Sequence, residues 1–325
     1  MALDDVREAA DRVRGWVRRT PLMDLAPGDD RLPGVAVLKL ETTQHTGSFK
    51  ARGAFNRILA ARARGELDPA VGVVAASGGN AGLAHAYAAA RLGVPATVFV
   101  PRTAPRTKVA RLESYGASVI AVGTEYAEAY DAAVAHVERT TAVFCHAYDQ
   151  PEVVAGAGTL GLELLDQCEA VGPVDTVVVA VGGGGLVGGV AAALEGRASV
   201  VGVEPVGAAT LHAALARGAP VDVPVAGVAA DSLGARRVGA IAWEVVRCTG
   251  VRSVLVDDAD IVAARRELWH RYRLVVEHGA AAAVAALTSG AYRPEPGERV
   301  ALVLCGANTD VADLAAPAPG TDPPS

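Results

Sequence analysis

Short runs of β-branched and aliphatic residues alternate along this chain with longer alanine-rich runs whose apolar positions recur at helical spacing. That alternation predicts an α/β fold, with open, mostly parallel sheets covered by helices on both faces. Strands are expected at 35–40, 71–75, 96–100, 118–122, 142–145, 176–181, 199–204 and 300–304. Helices are expected at 80–91, 106–115 and 125–139 and in most remaining gaps. The opening MALDDVREAADRVRGWV reads as a charged amphipathic helix without the apolar run of a signal peptide. Four strands with their own helices cluster between about 72 and 144, so a small α/β domain at 72–143 is expected, inserted in a larger domain made of 1–71 plus 144–314. The tail 315–325, rich in proline and small residues, is expected to be disordered.

Composition refines this picture. With 51% hydrophobic but only 4% aromatic residues, the core must be built mainly from Ala, Val and Leu. A net charge of −6 without a long basic run argues against nucleic acid and against an anionic membrane surface as partners. Cys145, Cys168, Cys248 and Cys305 lie far apart with no Cys-x-x-Cys pair, which suggests neither a disulfide framework nor a zinc site and fits a cytoplasmic location. Residues 176–194 carry no charge over a bilayer-spanning length. The glycines at 182–185, 188 and 189 make a buried strand, a glycine turn and a helix start the better reading.

Four stretches carry candidate chemistry. In LKLETTQHTGSFKARGAFN, residues 38–56, a strand breaks at the polar run 42–47 and a helix restarts at Ser48, a suitable N-cap, which puts Lys50 in the first turn. A cation at the positive end of a helix dipole is misplaced by roughly 0.3–1 kcal/mol. Burial adds to that penalty, and deprotonation relieves it, leaving the nucleophilic amine that Schiff-base chemistry needs. The plainer alternative is a surface lysine on an ordinary helix start. The second stretch, Ser77-Gly78-Gly79-Asn80, follows a strand and opens a helix, so its backbone N–H groups could hold an anion such as a carboxylate; it could equally be a simple capped turn. The third, VGGGGLVGG, lets a backbone approach a phosphate at a helix N-terminus. Gly183, Gly185 and Gly188 also spell G-x-G-x-x-G, with Glu204 near the place of a ribose-binding acid, so a dinucleotide loop stays open. That alternative gives Lys50 no role, and no Walker lysine follows the glycines. The fourth, VALVLCGANTD, ends a strand at Cys305, either an inert core thiol or a weak hydrogen-bonding group facing a ring nitrogen in the crevice of an open sheet.

In this order, TGSFKARGA, ASGGNAG, VGGGGLVGG and VLCGAN resemble the threonine and serine dehydratases, pyridoxal-phosphate enzymes of fold type II in the tryptophan synthase β-like superfamily. The resemblance spans nearly the whole chain, and the runs YDQPEVVAGAGTLGLELL and VGVEP share it. It implies pyridoxal 5′-phosphate as cofactor, Lys50 as the Schiff-base lysine with Phe49 beside the ring, and Asn80 on the ring 3′-oxygen. Ser77, Gly78, Gly79 and Asn80 would take the substrate carboxylate. Gly182, Gly183, Gly184, Gly185 and Leu186 would take the cofactor phosphate, and Cys305 the pyridine nitrogen. The implied reaction is dehydration and deamination of a small β-hydroxy amino acid, L-threonine or L-serine, to a 2-oxo acid and ammonia, in a homodimer. A related lyase or racemase acting on another such substrate, for example 3-hydroxyaspartate, is the alternative.

Departures from the family pattern bear on specificity. Ala81 stands where a histidine is frequent, and Val276-Glu277-His278-Gly279-Ala280 stands for Val-Glu-Pro-Gly-Gly. Some relatives bind a cation through residues matching Glu204, the Ala208 carbonyl and an acid at position 210; Thr210 is not an acid, so no metal site is expected. Gly78 replaces the serine that racemases use as a second acid/base, so poor racemase activity is expected. Few residues follow Thr309, and allosteric control through a regulatory domain is not expected.

Overall fold

The computed structural model describes residues 1–25 and 32–314. Its strands are β1 (Leu22–Asp24), β2 (Val35–Leu40), β3 (Val73–Ala76), β4 (Ala96–Val100), β5 (Ser118–Ala121), β6 (Val143–Cys145), β7 (Thr176–Ala180), β8 (Ser199–Pro205), β9 (Arg252–Val256) and β10 (Val300–Leu304). One sheet has the order β1-β2-β10-β7-β8-β9, the other β5-β4-β3-β6. Every pairing is parallel except β1 with β2. Parallel neighbours need long crossovers, and the alanine-rich runs between the strands supply them as helices. Each expected strand is present within two residues of its expected ends, while β1 and β9 add an edge on either side of the larger sheet.

The central strands are buried on both faces. Val177, Val178 and Val179 are fully covered, each contributing about 1.5–3 kcal/mol of burial. The helices Gly185–Leu194 and His278–Thr288 share that core. The helix Lys50–Ala63 packs elsewhere: Ala51, Ala54, Phe55 and Ile58 join one cluster with Val73, Ala75 and Leu83, beneath the four-stranded sheet. The chain thus leaves the larger sheet at the end of β2 and goes straight to the flank of the smaller one.

The segment 176–194 is a buried strand, a glycine turn and a helix. No helix among the described residues is long and apolar enough to cross a membrane. The tail 315–325, expected to be disordered, lies outside the described residues. All four candidate stretches follow the C-terminal end of a parallel strand, namely β2, β3, β7 and β10, the side on which open α/β sheets form ligand crevices.

Candidate active site

Lys50 is positioned by an irregular approach. After β2 the chain makes two 3-10 turns, Glu41–Thr43 and His45–Gly47, with Thr46 in the left-handed region at φ 61°. Ser48 is not the expected N-cap: it is extended and forms an isolated bridge with Gly306, and the helix starts at Lys50 with Phe49 in the cap position. The reason is a competing pairing, because the Phe49 N–H donates to the Cys305 carbonyl at 3.0 Å and ties this turn to the end of β10. Lys50 therefore keeps its place in the first turn but sits beside Cys305. Its Nζ donates to the Ala147 carbonyl at 2.8 Å and lies 4.9 Å from the Phe49 ring centroid. Burial pushes the amine down to about 8, while Cys305 and Glu277 pull it the other way. The side chain lies deep in the protein but keeps part of its surface uncovered.

The turn after β3 brings Ser77, Gly78, Gly79 and Asn80 to the start of the helix Asn80–Leu92. Ser77 Oγ accepts the Gly79 N–H at 3.2 Å. Asn80 is held from both ends: its Nδ2 donates to both Glu277 carboxylate oxygens at 2.8 and 3.0 Å, and its Oδ1 accepts from Asn308 Nδ2 at 2.6 Å. Asn308 Nδ2 also donates to the Thr46 carbonyl at 2.8 Å, so the chain of bonds returns to the turn before Lys50. Glu277 is buried, and burial raises its carboxyl to about 7. A Cβ on Gly306 would lie 2.3 Å from Glu277 Oε1, so only glycine leaves room for this carboxylate. A cleft of about 720 Å³ opens here, with Gly78, Gly79, Asn80, Lys108 and Arg111 from the smaller sheet's side and Asp231, Glu277, His278 and Asn308 from the other.

The glycine turn after β7 runs from Gly182 to the start of the helix Gly185–Leu194. Gly184 has φ 87°, which favours glycine, and a Cβ on Gly183 would lie 2.4 Å from the Tyr148 ring. The backbone therefore approaches its neighbours as no other residue could. The N–H groups of the first helical turn have no intrahelical acceptors, which makes the turn suited to a phosphate. Leu186 is buried in the larger core behind it. The Cys305 thiol is free and buried, and burial pushes it far above its ordinary range, so it stays protonated.

Glu204, the candidate ribose or cation ligand, is buried and already saturated. It accepts from Leu211 N at 2.7 Å, His212 N at 2.8 Å, and the hydroxyls of Thr210 and Ser253 at 3.1 Å each, capping the helix Thr210–Arg217. The single Thr210 hydroxyl proton is shared with the Gly182 carbonyl, the nearer acceptor at 2.5 Å, fastening the glycine turn.

The structure thus brings Lys50, Phe49 and Cys305 together, links Asn80 to them through Glu277 and Asn308, and joins Lys50 to the glycine turn through residues 147 and 148. Glu277, Asn308, Ala147 and Tyr148 are given no role in the sequence reading. Glu277, Asn308 and Tyr148 stand within the family's motifs and Ala147 directly precedes one, but nothing local marks them, since their partners lie far away in the chain.

Residues 13–306 match the family profile described as pyridoxal-phosphate dependent enzyme. The L-threonine ammonia-lyase of Geobacter sulfurreducens is 38% identical over 312 residues, covering 95% of this chain and 76% of its own. The phenylserine dehydratase of Ralstonia pickettii is 39% identical over 311 residues, covering 94% and 92%. The crystal structure of the T.th. threonine deaminase superposes with a TM-score of 0.86 at 35% identity, covering 95% of this chain and 99% of that one.

Proposed function

Since the chain belongs to the pyridoxal-phosphate dependent enzymes, with the type II fold, we propose that it is an ammonia-lyase that removes the β-hydroxyl of L-threonine or L-serine and yields a 2-oxo acid and ammonia. The observation that carries this reading is the Lys50 amine, held near neutrality by burial and hydrogen-bonded to a carbonyl rather than a carboxylate.

The residues present fit the cofactor. Among the described residues no carboxylate is ion-paired with the amine and would have to be displaced, and the helix Gly185–Leu194 opens on N–H groups without intrahelical acceptors. Bound there, pyridoxal phosphate supplies a carbonyl for the substrate amine and an electron sink for charge developing at Cα. Lys50 removes the Cα proton, for which an amine pushed down to about 8 is suited. Gly182, Gly183, Gly184, Gly185 and Leu186 would hold the phosphate, and Phe49 would pack beside the ring. Asn80, its amide orientation fixed by Glu277 and Asn308, would meet the ring 3′-oxygen. Ser77 and the N–H groups of Gly78, Gly79 and Asn80 orient the substrate carboxylate. The protonated Cys305 thiol would face the ring nitrogen as a neutral, weak hydrogen-bonding group.

Elimination is favoured over racemisation by Gly78. Only Val100 Cγ1, at 3.6 Å, comes near the place its Cβ would occupy, and position 78 itself offers no side chain as second acid/base. On the same reading the protein is a cytoplasmic homodimer, with a cofactor-holding unit of 1–71 plus 144–314 and a smaller unit of 72–143. The two sheets support that division except at one boundary, where β6, Val143–Cys145, joins the smaller sheet although residues 144 and 145 fall in the larger unit.

A panel of L-threonine, L-serine, phenylserine and 3-hydroxyaspartate in deuterated water, followed by 2-oxo acid release and chiral analysis, tests the proposal. Pyruvate should form from L-serine well ahead of D-serine. No 2-oxo acid from any member, or deuterated D-serine appearing as fast as pyruvate, overturns it; turnover of 3-hydroxyaspartate alone moves the enzyme to the related-lyase alternative.

A further inference from the structure

Residues 146–150 connect β6 to the helix Pro151–Val171, and three consecutive residues of this loop each touch a different part of the site. The Ala147 carbonyl accepts the Lys50 amine at 2.8 Å. The Tyr148 ring lies against Gly183, and its carbonyl against Gly185. The Asp149 carboxylate accepts the N–H groups of Ala240 and Ile241 at 2.9 and 3.0 Å and so caps the helix Ala240–Thr249, whose Ala242 backs Gly184.

The loop is folded around its first side chain. His146 Nδ1 accepts the N–H groups of Tyr148 at 3.1 Å and of Asp149 at 2.8 Å, two and three residues ahead. That is the pattern an Asn or Asp side chain makes when it closes an Asx turn, here made by an imidazole. The ring is further held by edge contacts with Tyr130, Phe144 and Tyr148.

We propose that His146 is a positioning residue: by accepting these two backbone N–H groups, its neutral imidazole sets the Ala147 carbonyl on Lys50 and the Tyr148 ring on the glycine turn. Two N–H acceptances at one nitrogen require that nitrogen to be unprotonated. Burial favours this state most; Asp149 opposes it and Lys50 adds to it.

The inference rests on reading Lys50 and the glycine turn as the cofactor site, which the absorbance of the wild-type holoenzyme checks separately. Two variants test the inference itself. His146→Phe keeps an aromatic ring among Tyr130, Phe144 and Tyr148 but removes the acceptor; His146→Asn restores an acceptor with a smaller side chain. The holoenzymes are diluted, and the rate at which pyridoxal phosphate leaves is followed by absorbance, alongside kcat and KM. H146F should lose the cofactor about ten- to a hundredfold faster, the scale for removing a group that orients a ligand-binding residue, with kcat lowered and KM little changed. H146N should stay within about threefold of wild type in both. Should H146F fail to fold, H146N decides: near-wild-type cofactor retention supports the proposal, and rapid loss overturns it. Wild-type retention and kcat in a folded H146F also overturn it, because ring packing would then suffice.

Discussion

Lys39 is fully buried and Lys50 partly so, and burial pushes both amines below 10.5, yet they do opposite things. Lys39, on β2, is wholly covered and saturated: its Nζ donates to Glu163 at 2.6 Å, Gln167 at 2.7 Å and the Thr20 carbonyl at 2.8 Å. Glu163 in turn meets Arg52 at 3.0 Å, and Arg52 donates twice to Glu41, at 2.7 and 2.8 Å. Among the described residues, Lys50 has one carbonyl and no carboxylate bonded to its amine. Burial alone therefore does not make a reactive amine. What separates the two is whether the ammonium finds an anion, which holds the charge in place, or only a dipole, which lets the proton go. The regions are also coupled: Arg52 follows Lys50 in the same helix, so the charged cluster anchors the segment that presents the reactive group.

The largest effect should come from Lys50→Ala. Turnover is expected to fall by at least about a thousandfold, since both the nucleophile and the base are lost. Circular dichroism should be unchanged and the cofactor absorbance lost; retained activity would erase the distinction between the two lysines. Lys39→Met should do the reverse. Removing one partner from a buried ion cluster costs roughly 3–5 kcal/mol, because Glu163 keeps its charge with less compensation. A shift of the urea midpoint measures it, while turnover per folded molecule should hold. If turnover falls and stability does not, Lys39 belongs to the site.

Much of this contrast is invisible in the sequence. The strands, the glycine turns and Lys50 can be read because each is a local signal: β-branched runs, consecutive glycines, a lysine at a strand-to-helix junction. β1 has only three residues, Leu22–Asp24, too few to show alternation, and β9 is an edge strand with Arg252 exposed and little burial. Ser48 looks like a cap because the sequence cannot show that Gly306 claims it as a bridge partner. Glu277 stands in a motif that departs from the family pattern, but its role depends on Asn80 and Gly306, and Lys39 meets Glu163 across 124 positions. Such long-range pairings leave no periodicity to read.

The smallest effect is one of pH. Lys50 is neutral above about 8 when folded but keeps its proton to 10.5 when unfolded. Between these values the unfolded chain binds more protons, so cofactor-free protein should gain stability as pH rises from 8 to 10.5. Lys39 contributes in the same direction, so the measurement is the difference in thermal midpoint between wild type and Lys50→Ala across this range. A constant difference would mean that Lys50 titrates at its ordinary value.

The register of the larger sheet has a consequence for how the molecule is made. β2 pairs with β10, Val35 with Val300 and Leu40 with Leu304, so strands far apart in the sequence are neighbours within the sheet. During synthesis, β3 to β6 and their helices, whose pairings all fall between residues 73 and 145, can come together before β10 is made. The other sheet must wait, and loop closure over so long a separation is slow. Phe49 meets Cys305, and Asn80 meets Glu277, only after β10 has emerged. A nascent chain can therefore seat the Lys50 helix against the smaller sheet and Lys50 on the Ala147 carbonyl early, while the contacts that tie the start of that helix to Cys305 and Asn308 form only once β10 has emerged.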